Sequence, residues 1–473
     1  MDLLLRQLSC GVARIDITPP PGIAHAGWGA QTHQRAAGVD LPLWATALAL
    51  SDGDETVVIV DIDLVYLWEA EASKALQAVA ALTGLPQSHI RLSYTHTHSG
   101  PVTGSGWTSW FTEGAEMVEA YDESLPHRIA GVGWEAIKNL VPARVAAGRG
   151  SCGIAVNRRF QRPEDGTVVV GRNWDGPTDK EVQVVRVDDL SGQPLAAVVN
   201  YACHPITVGP DCELITPDYP GVVKRVVEDA TGATCLFLQG AAGDIGPARG
   251  VARHGLHEYE RLGAILGHEA SRVWWELELP RRQEAYISTL ESGAPLAVYE
   301  EEPIEDTEVG LRVGTRSMQL PIKGLPAPEQ LEADLAGHLK RLDELRTKDA
   351  GEEAIIQATM LAKRAKMRAD MARQLQGQTH RDFEAQVFTI GDRIALAAIP
   401  GEPFVEIGLQ IKRQSPIKHT LFSGYSNVGW AYIPVAEAYP EGGYEVEVTP
   451  FSPDAAGIVV TETLSLLDEV SQR

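Results

Sequence analysis

The sequence predicts an α/β fold, with layered mixed β-sheets flanked by helices. Apolar runs that end at Gly or Pro alternate with helical patterns, first over 45–101 and again over 194–247, and such alternation is typical of α/β cores. Of the 473 residues, 44% are hydrophobic and 22% charged, which is ordinary globular composition and enough to bury a sizeable core. We therefore predict one large domain over 1–473.

The first third supplies the clearest elements. Apolar runs at 45–50 and 56–67, joined by the turn-like SDGDE, predict two neighbouring strands linked by a hairpin turn, the second of them central in its sheet. Apolar recurrence near 3.6 predicts a helix over 69–82, which ends before Gly84 and Pro86. The segment IRLSYTHTHSGP then predicts a strand that runs into a turn.

The same alternation returns further along the chain. Strands are predicted at 194–205, 234–244, 283–322, 385–404 and 418–435. Helices are predicted at 221–231, 258–276 and 454–470, and the Ala-, Leu- and charge-rich segment 327–377 predicts two antiparallel helices with an exposed charged face.

The charge balance excludes some partners. Lys plus Arg number 41 and Asp plus Glu 64, so the net charge is −23, and such a surface repels phosphate backbones and anionic lipid heads. We expect a small-molecule substrate and no nucleic acid. The five cysteines are odd in number and contain no CxxC pair, which argues against a disulfide framework or a zinc knuckle.

We expect no targeting signal or membrane span in this sequence. Its first apolar run, Leu3 to Leu5, is shorter than the ~7–15 residues of a secretory signal, so we expect a cytoplasmic protein. No stretch approaches the ~18 apolar residues of a membrane span, so membrane insertion is not expected. A homo-oligomer is compatible with the sequence.

The sharpest local feature is the pair His96 and His98 in THTHSGP, at the predicted end of a strand. In a strand, residues i and i+2 project to the same face, so both imidazoles can converge on one point. That geometry suits two metal ligands, or one ligand and one acid/base group. A purely structural role is the alternative.

Further candidates lie where apolar strands give way to loops. They are His204 in NYACHP, the small residues Gly243, Asp244 and Gly246 in LQGAAGDIGP, Glu402 in PGEP, and the tyrosines Tyr425, Tyr432, Tyr439 and Tyr444. The glycine-containing loop lets backbone approach a ligand closely, but it lacks the GK[ST] ending of a phosphate loop. Taken singly, each residue also suits ordinary packing or a turn.

Together these segments resemble a known family. THTHSGP, NYACHP, QGAAGDIGP, PGEPF and the Tyr432 to Tyr444 spacing occur in the order found in the neutral/alkaline, non-lysosomal ceramidases, zinc-dependent amidases of the sphingolipid amide bond. The opening GVARIDITPP is also similar to that family's N-terminal segment. By the same resemblance, the family's additional C-terminal β-sandwich domain is expected to be absent.

The resemblance implies roles for individual residues. The expected zinc ligands are His96, His204, Glu402 and Tyr432, a set of donors that leaves an open position. His98 matches a second histidine that moves protons rather than binding the metal. Tyr444 and Arg158, the latter with a one-residue ambiguity toward Arg159, match groups that stabilise the oxyanion.

One position departs from the family. Its loop carries a catalytic serine where this chain has Gly246, beside Gly243 and Asp244. The remaining residues fit a mechanism in which metal-activated water attacks, since no protein nucleophile is then required. The absent hydroxyl indicates a changed substrate.

The leading hypothesis is a zinc hydrolase that cleaves an amide, or a related lactone, ester or β-diketone, of a small metabolite. One alternative is a true ceramidase that hydrolyses N-acylsphingosine. Another is a non-catalytic protein that keeps the metal pocket for binding. A two-metal phosphoesterase is disfavoured, because Asp61, Asp63 and Asp244 are the only aspartates near the candidate loops at predicted strand ends.

Overall fold

The computed structural model describes residues 8–27, 31, 33–104, 108–249, 256–277, 279, 282–303, 309–348 and 350–472. The run Leu3 to Leu5, on which the localisation prediction depends, lies outside this range. No helix among the described residues is long and apolar enough to cross a membrane.

Most elements follow the predicted alternation of strands and helices. The strands are β1 (Ser9–Asp16), β2 (Gly38–Val39), β3 (Trp44–Ser51), β4 (Thr56–Ile62), β5 (Ile90–Tyr94), β6 (Val141–Ser151), β7 (Ala155–Gln161), β8 (Val168–Asn173), β9 (Glu181–Asp189), β10 (Pro194–Tyr201), β11 (Leu214–Ile215), β12 (Thr234–Gln239), β13 (Ile245–Pro247), β14 (Arg282–Leu290), β15 (Leu296–Pro303), β16 (Leu311–Pro321), β17 (His380–Ile390), β18 (Ile394–Ala398), β19 (Glu402–Pro403), β20 (His419–Ser423) and β21 (Tyr432–Ile433). The helices are α1 (Glu69–Thr83), α2 (Val118–Lys138), α3 (Asp218–Thr231), α4 (Leu256–Glu276), α5 (Pro328–Thr347), α6 (Glu352–Gln374), α7 (Val405–Gln414), α8 (Tyr444–Val448) and α9 (Ala455–Gln472).

Two sheets form the centre of the fold. The larger has eight strands in the order β12-β10-β9-β6-β1-β3-β4-β5, and the smaller has four in the order β16-β17-β18-β20. Strand β4 shows how they stack, because its side chains alternate between faces. Val57 and Ile59 pack toward the smaller sheet, whereas Val58 and Val60 pack toward helices.

Helices cover the outer face of each sheet. Helices α1, α2, α3 and α4 pack on the larger sheet, and α7 and α9 pack on the smaller one. The order of layers is therefore helices, large sheet, small sheet, helices, as the predicted fold class requires.

The large sheet curves until its two edge strands meet. Phe237 N–H of β12 donates to the Asp61 carboxylate of β4 at 3.0 Å, and the Gln239 side-chain amide donates to Thr95 O, just after β5, at 3.3 Å. In the middle of the strand order, β1 and β6 pair over two residues. As a result, loops that follow strands at opposite ends of the strand order lie side by side.

Two helices, α5 and α6, occupy most of the predicted helical segment and pack against each other through Leu331, Ala369 and Ala372. Helix α2 was not predicted. It contains Pro126, Gly131 and Gly133, which obscure its apolar stripe in the sequence.

Candidate metal centre and active site

The candidate residues lie in loops that follow strands of both sheets. His96 is two residues beyond β5 and His204 is three residues beyond β10. Glu402 begins β19, directly after β18 of the smaller sheet. Since the edges of the large sheet meet, these three separate parts of the chain come together at one point.

Three imidazoles converge there. His96 Nε2 lies 3.1 Å from His204 Nε2 and 3.3 Å from His98 Nε2. Of the described residues, these histidines form the group whose ligand atoms all lie within 4.8 Å of one another. The structure thus brings His96 and His98 together at one point.

The backbone conformation that brings the two imidazoles together differs from the expected one. Strand β5 ends at Tyr94, and His96 adopts a left-handed backbone with φ of 68°. The two imidazoles therefore meet through a turn and not through strand alternation. A non-glycine residue in this conformation is strained, and such strain concentrates at functional sites.

Backbone carbonyls orient all three rings. The Nδ1 atoms of His96, His98 and His204 lie 2.7, 2.9 and 3.0 Å from the carbonyl oxygens of Val65, Gly27 and Ala242. A carbonyl only accepts, so each Nδ1 must carry the proton and each Nε2 must present a lone pair when the ring is neutral. This is the arrangement found around metal-binding histidines.

Glu402 adds a carboxylate to the cluster. Its Oε2 lies 3.5 Å from His96 Nε2 and 3.7 Å from His204 Nε2. The same oxygen is buried and has no hydrogen-bond partner among the described residues. A buried carboxylate oxygen without a donor is costly, and a cation between it and the imidazoles would remove that cost.

The electrostatics keep the imidazoles of His98 and His204 uncharged. Burial lowers the pKa of His204 well below its usual value, and the positive charge of Arg158 adds to the effect. The pKa of His98 is likewise well below normal, because of burial and the neighbouring His96. Neutral imidazoles with a carboxylate are the donors that zinc takes in catalytic sites.

The two tyrosines and the arginine line one side of this cluster. Tyr432 pairs with Glu402 across the parallel strands β19 and β21, and its ring lies 5.7 Å from that of Tyr444. The guanidinium of Arg158 lies 5.4 Å from the Tyr432 ring. Burial and the Glu402 carboxylate raise the pKa of Tyr444 to about 12, so this phenol is a hydrogen-bond donor near neutral pH.

The neighbouring arginines Arg158 and Arg159 differ in their partners. Arg159 is held by Glu441, Glu445 and backbone carbonyls. Arg158 Nε donates to Glu445 at 2.8 Å, but its buried Nη2 has no partner in the described part of the chain. Of the two arginines, it is therefore Arg158 that has, beside Tyr432, an N–H donor with no acceptor among the described residues.

The glycine-containing loop mainly supports the site. Gly243 N–H donates to Pro403 O, and a side chain at position 243 would come within 2.5 Å of Glu402 O. The Asp244 carboxyl group accepts from Val405 N–H and from the Asn157 side chain, both at 2.8 Å. These contacts fix the backbone on either side of Glu402.

Comparison with known proteins identifies the family. The model of the "Neutral/alkaline non-lysosomal ceramidase, N-terminal" family matches residues 8–250, about half of the chain. The chain belongs to this family. The resemblance noted in the sequence is thus confirmed, and the chain is a neutral ceramidase-like hydrolase.

Relatives of this ceramidase-family chain include proteins that are named neutral ceramidases. The neutral ceramidase of Pseudomonas aeruginosa is 23% identical over 496 residues, which cover 94% of this chain and 69% of the relative. Neutral ceramidase A of Dictyostelium discoideum is 24% identical over 259 residues, 51% of this chain and 36% of the relative. A crystal structure of the Pseudomonas enzyme matches with a TM-score of 0.69 and 19% identity, over 99% of this chain and 75% of that one. This match confirms the predicted fold class.

Sequence reasoning missed part of the site of this ceramidase-family chain. The rings of Tyr66 and Tyr425 lie 5.8 and 4.3 Å from the His96 ring, so His96 contacts two aromatic neighbours. Tyr425 belonged to a recognised cluster, but nothing in the sequence assigned it to His96. Tyr66 follows an apolar strand and belongs to no distinctive motif. Glu445 is next to Tyr444 in the sequence, and only Tyr444 was identified as a candidate residue.

Proposed function

We propose that this ceramidase-family chain is a zinc-dependent hydrolase of an amide, or a related lactone, ester or β-diketone, in a small metabolite. The main support is the convergence of three imidazole Nε2 atoms with a buried carboxylate oxygen that has no donor among the described residues. Imidazole nitrogen and carboxylate oxygen are ligands that zinc accepts, so the residues present fit the ion.

His96, His204 and Glu402 are the proposed ligands, and Tyr432 completes the set by resemblance to the family. The geometric support is that Glu402 Oε2 approaches the Nε2 atoms of His96 and His204. Zinc bound there would lower the pKa of water to roughly 7 and polarise the substrate carbonyl.

His98 is the proposed proton carrier. It is more exposed than His96 and His204, which are each 1% exposed. Its Nδ1–H is held by Gly27 O, so Nε2 presents a lone pair that can take a proton from water and return it to the leaving group.

Tyr444 and Arg158 are the proposed oxyanion donors. The phenol is protonated near neutral pH, and Arg158 Nη2 has no competing partner among the described residues. Removal of one such donor typically costs ~10²–10³ in rate. The glycine at 246 supplies no hydroxyl, which favours a substrate other than N-acylsphingosine.

Metal analysis and substrate assays test this proposal. Protein purified without chelator should contain stoichiometric zinc, and chelation should abolish hydrolysis of small polar amides or lactones until zinc is restored. Protein free of transition metal would refute the proposal. Faster turnover of N-acylsphingosine than of any small amide would refute its substrate class.

A His98→Ala variant separates catalysis from simple binding. If His98 carries protons, the variant should retain zinc and lose turnover by about 10²-fold or more. Loss of zinc would instead make His98 a ligand. A binding protein would keep its ligand affinity and show no turnover before or after the substitution.

A further inference from the structure

Tyr425 has a strained backbone beside the candidate metal centre. It lies two residues beyond β20 and is buried. Its φ of 50° is left-handed, which is an outlier for a bulky side chain. Glycine or asparagine would adopt this conformation at lower cost, and such strain persists only where the surrounding contacts enforce it. The contacts of Tyr425 therefore indicate what the strained conformation serves.

The backbone of Tyr425 links the two sheets at the metal centre. Its N–H donates at 2.8 Å to the carbonyl oxygen of Gly401, the residue directly before Glu402. Its carbonyl accepts at 3.1 Å from the N–H of Tyr94, which ends β5 two residues before His96. Strand β5 belongs to the large sheet, and Glu402 follows β18 of the smaller one. One residue therefore fixes the spacing between two segments that carry candidate ligands.

The two residues after Tyr425 strengthen this link. Ser426 N–H donates to Ile399 O, just after β18, at 3.2 Å. Asn427 N–H donates to Leu92 O of β5 at 2.7 Å, and Asn427 Oδ1 accepts from Leu92 N–H at 3.0 Å. The segment 425–427 is thus bonded to the chain on both sides, so Tyr425 has little freedom to move between the sheets.

The side chain of Tyr425 contacts two of the candidate ligands. Its ring lies 4.3 Å from the His96 ring, and its hydroxyl oxygen lies 3.4 Å from His204 Nδ1. Since Nδ1–H of His204 donates to Ala242 O at 3.0 Å, the hydroxyl oxygen is a second and more distant acceptor. The ring therefore packs on one imidazole, and its hydroxyl lies beside the orienting bond of the other.

We propose that Tyr425 is a positioning residue, which sets the spacing of His96, His204 and Glu402 before an ion binds. This inference rests on the proposed zinc-dependent function and gives a role to a residue outside the ligands, the proton carrier and the oxyanion donors. Ligands that are held in place lose less conformational freedom on binding, so zinc affinity should depend on Tyr425. Burial, and next the charge of Glu402, raise the pKa of Tyr425 well above its usual value, so its side chain stays neutral.

The zinc affinity of full-length variants tests the inference. Tyr425→Phe keeps the ring and the backbone contacts, and it should bind zinc within about threefold of wild type. Tyr425→Leu removes the ring from His96 and the hydroxyl from His204, so we expect affinity to fall by about tenfold or more. Competition with a chromogenic chelator measures the affinity. The visible absorption of Co²⁺-substituted protein reports ligand geometry, and it should change in the Leu variant but not in the Phe variant.

Tyr121→Leu is the matched control. Tyr121 is also buried, and its hydroxyl donates at 2.7 Å to the carbonyl of Ile17, in a segment without candidate ligands. This variant should unfold at lower urea concentration than wild type but keep its zinc affinity and cobalt spectrum.

The possible results separate the inference from the proposed function. If Tyr425→Leu does not fold, Tyr425→Asn replaces it, because asparagine suits a left-handed backbone. Wild-type zinc affinity in the folded variant at 425, or an equal loss in Tyr121→Leu, overturns the inference. Wild-type protein that binds no zinc would instead overturn the proposed function.

Discussion

Gly246 of β13 lies diagonally opposite Arg158 of β7, since its register partner on that strand is Val156, and there is room for a side chain between Gly246 and Arg158. A Cβ at position 246 would lie 3.5 Å from Arg158 Cβ and 3.9 Å from Arg158 Cδ, which are ordinary van der Waals distances. The backbone at 246 is not left-handed. The absence of the family serine is therefore not imposed by the fold.

Gly246→Ser should consequently fold and bind metal. We expect a loss of at most about 1.5 kcal/mol in unfolding free energy and a gain in turnover of N-acylsphingosine relative to small amides. Gly243→Ser is the contrast, because its Cβ would meet Glu402 O at 2.5 Å. That variant should lose about 3 kcal/mol or more and part of its metal. Urea unfolding measures the stability of both variants, and metal analysis measures their metal content. Equal losses in the two variants would contradict the prediction that only position 246 has room for a side chain.

Glu402→Gln should weaken metal binding while preserving the shape of the side chain. The amide removes the negative charge beside His96 and His204, so we expect affinity for zinc to fall by more than about tenfold. Competition with a chromogenic chelator measures the affinity. Glu437→Gln, an exposed carboxylate in the same half of the chain, is the control and should bind as wild type does.

Lys224→Met should strongly destabilise the fold. Lys224 Nζ lies 3.1 Å from Asp61 and 2.7 Å from Asp63, and all three side chains are buried. The substitution leaves two buried carboxylates unpaired, which typically costs ~3–5 kcal/mol. The neighbouring Arg225→Met breaks only an exposed pair with Glu260 and should cost less than about 1 kcal/mol. Urea denaturation compares them, and similar midpoints would refute the prediction.

Asp244→Asn should change how stability depends on pH. Burial, and next the charge of Glu406, raise the pKa of Asp244 from 3.8 to about 8. The folded state then holds a proton that the unfolded state has released, so stability due to this group is present at low pH and is lost as pH rises from about 4 through about 8. The stability of wild type minus that of the variant should be larger at pH 5 than at pH 8. If denaturant titrations show that the stability of wild type and of the variant depends on pH in the same way, the prediction is wrong.

The layered fold was predictable because the apolar pattern of each strand is visible in a short stretch of sequence. Strand β4 is apolar on both faces, and that pattern indicates a central strand between two packed layers. Helix α1 ends at Gly84 with a left-handed backbone, as its C-terminal glycine indicated. Helix α2 escaped prediction because Pro126 interrupts its pattern and tertiary packing stabilises it regardless.

The site was predictable only in part. His96 and His98 are two residues apart, so their proximity follows from local geometry. The meeting of His204 with Glu402 depends on the curvature of the large sheet and on its stacking against the smaller one, which no local pattern encodes. The contacts of Tyr66 and Tyr425 with His96 depend on the same long-range packing.

The burial of Lys363 on α6 also lay beyond sequence reasoning. The charged residues of 327–377 suggested a solvated face, and several of them do form ion pairs. Whether one cation of such a helix is buried depends on which segment packs against it, and that partner is more than three hundred positions away.

The curvature that joins the edges of the large sheet has a consequence for how the protein matures. A nascent chain that has left the ribosome as far as α4 holds His96 and His204 but still lacks Glu402, which comes from the second sheet. At the proposed zinc site, complete capture of the ion would therefore wait until the segment that carries Glu402 has been synthesised and has docked. Metal occupancy would then report that the second sheet is in place.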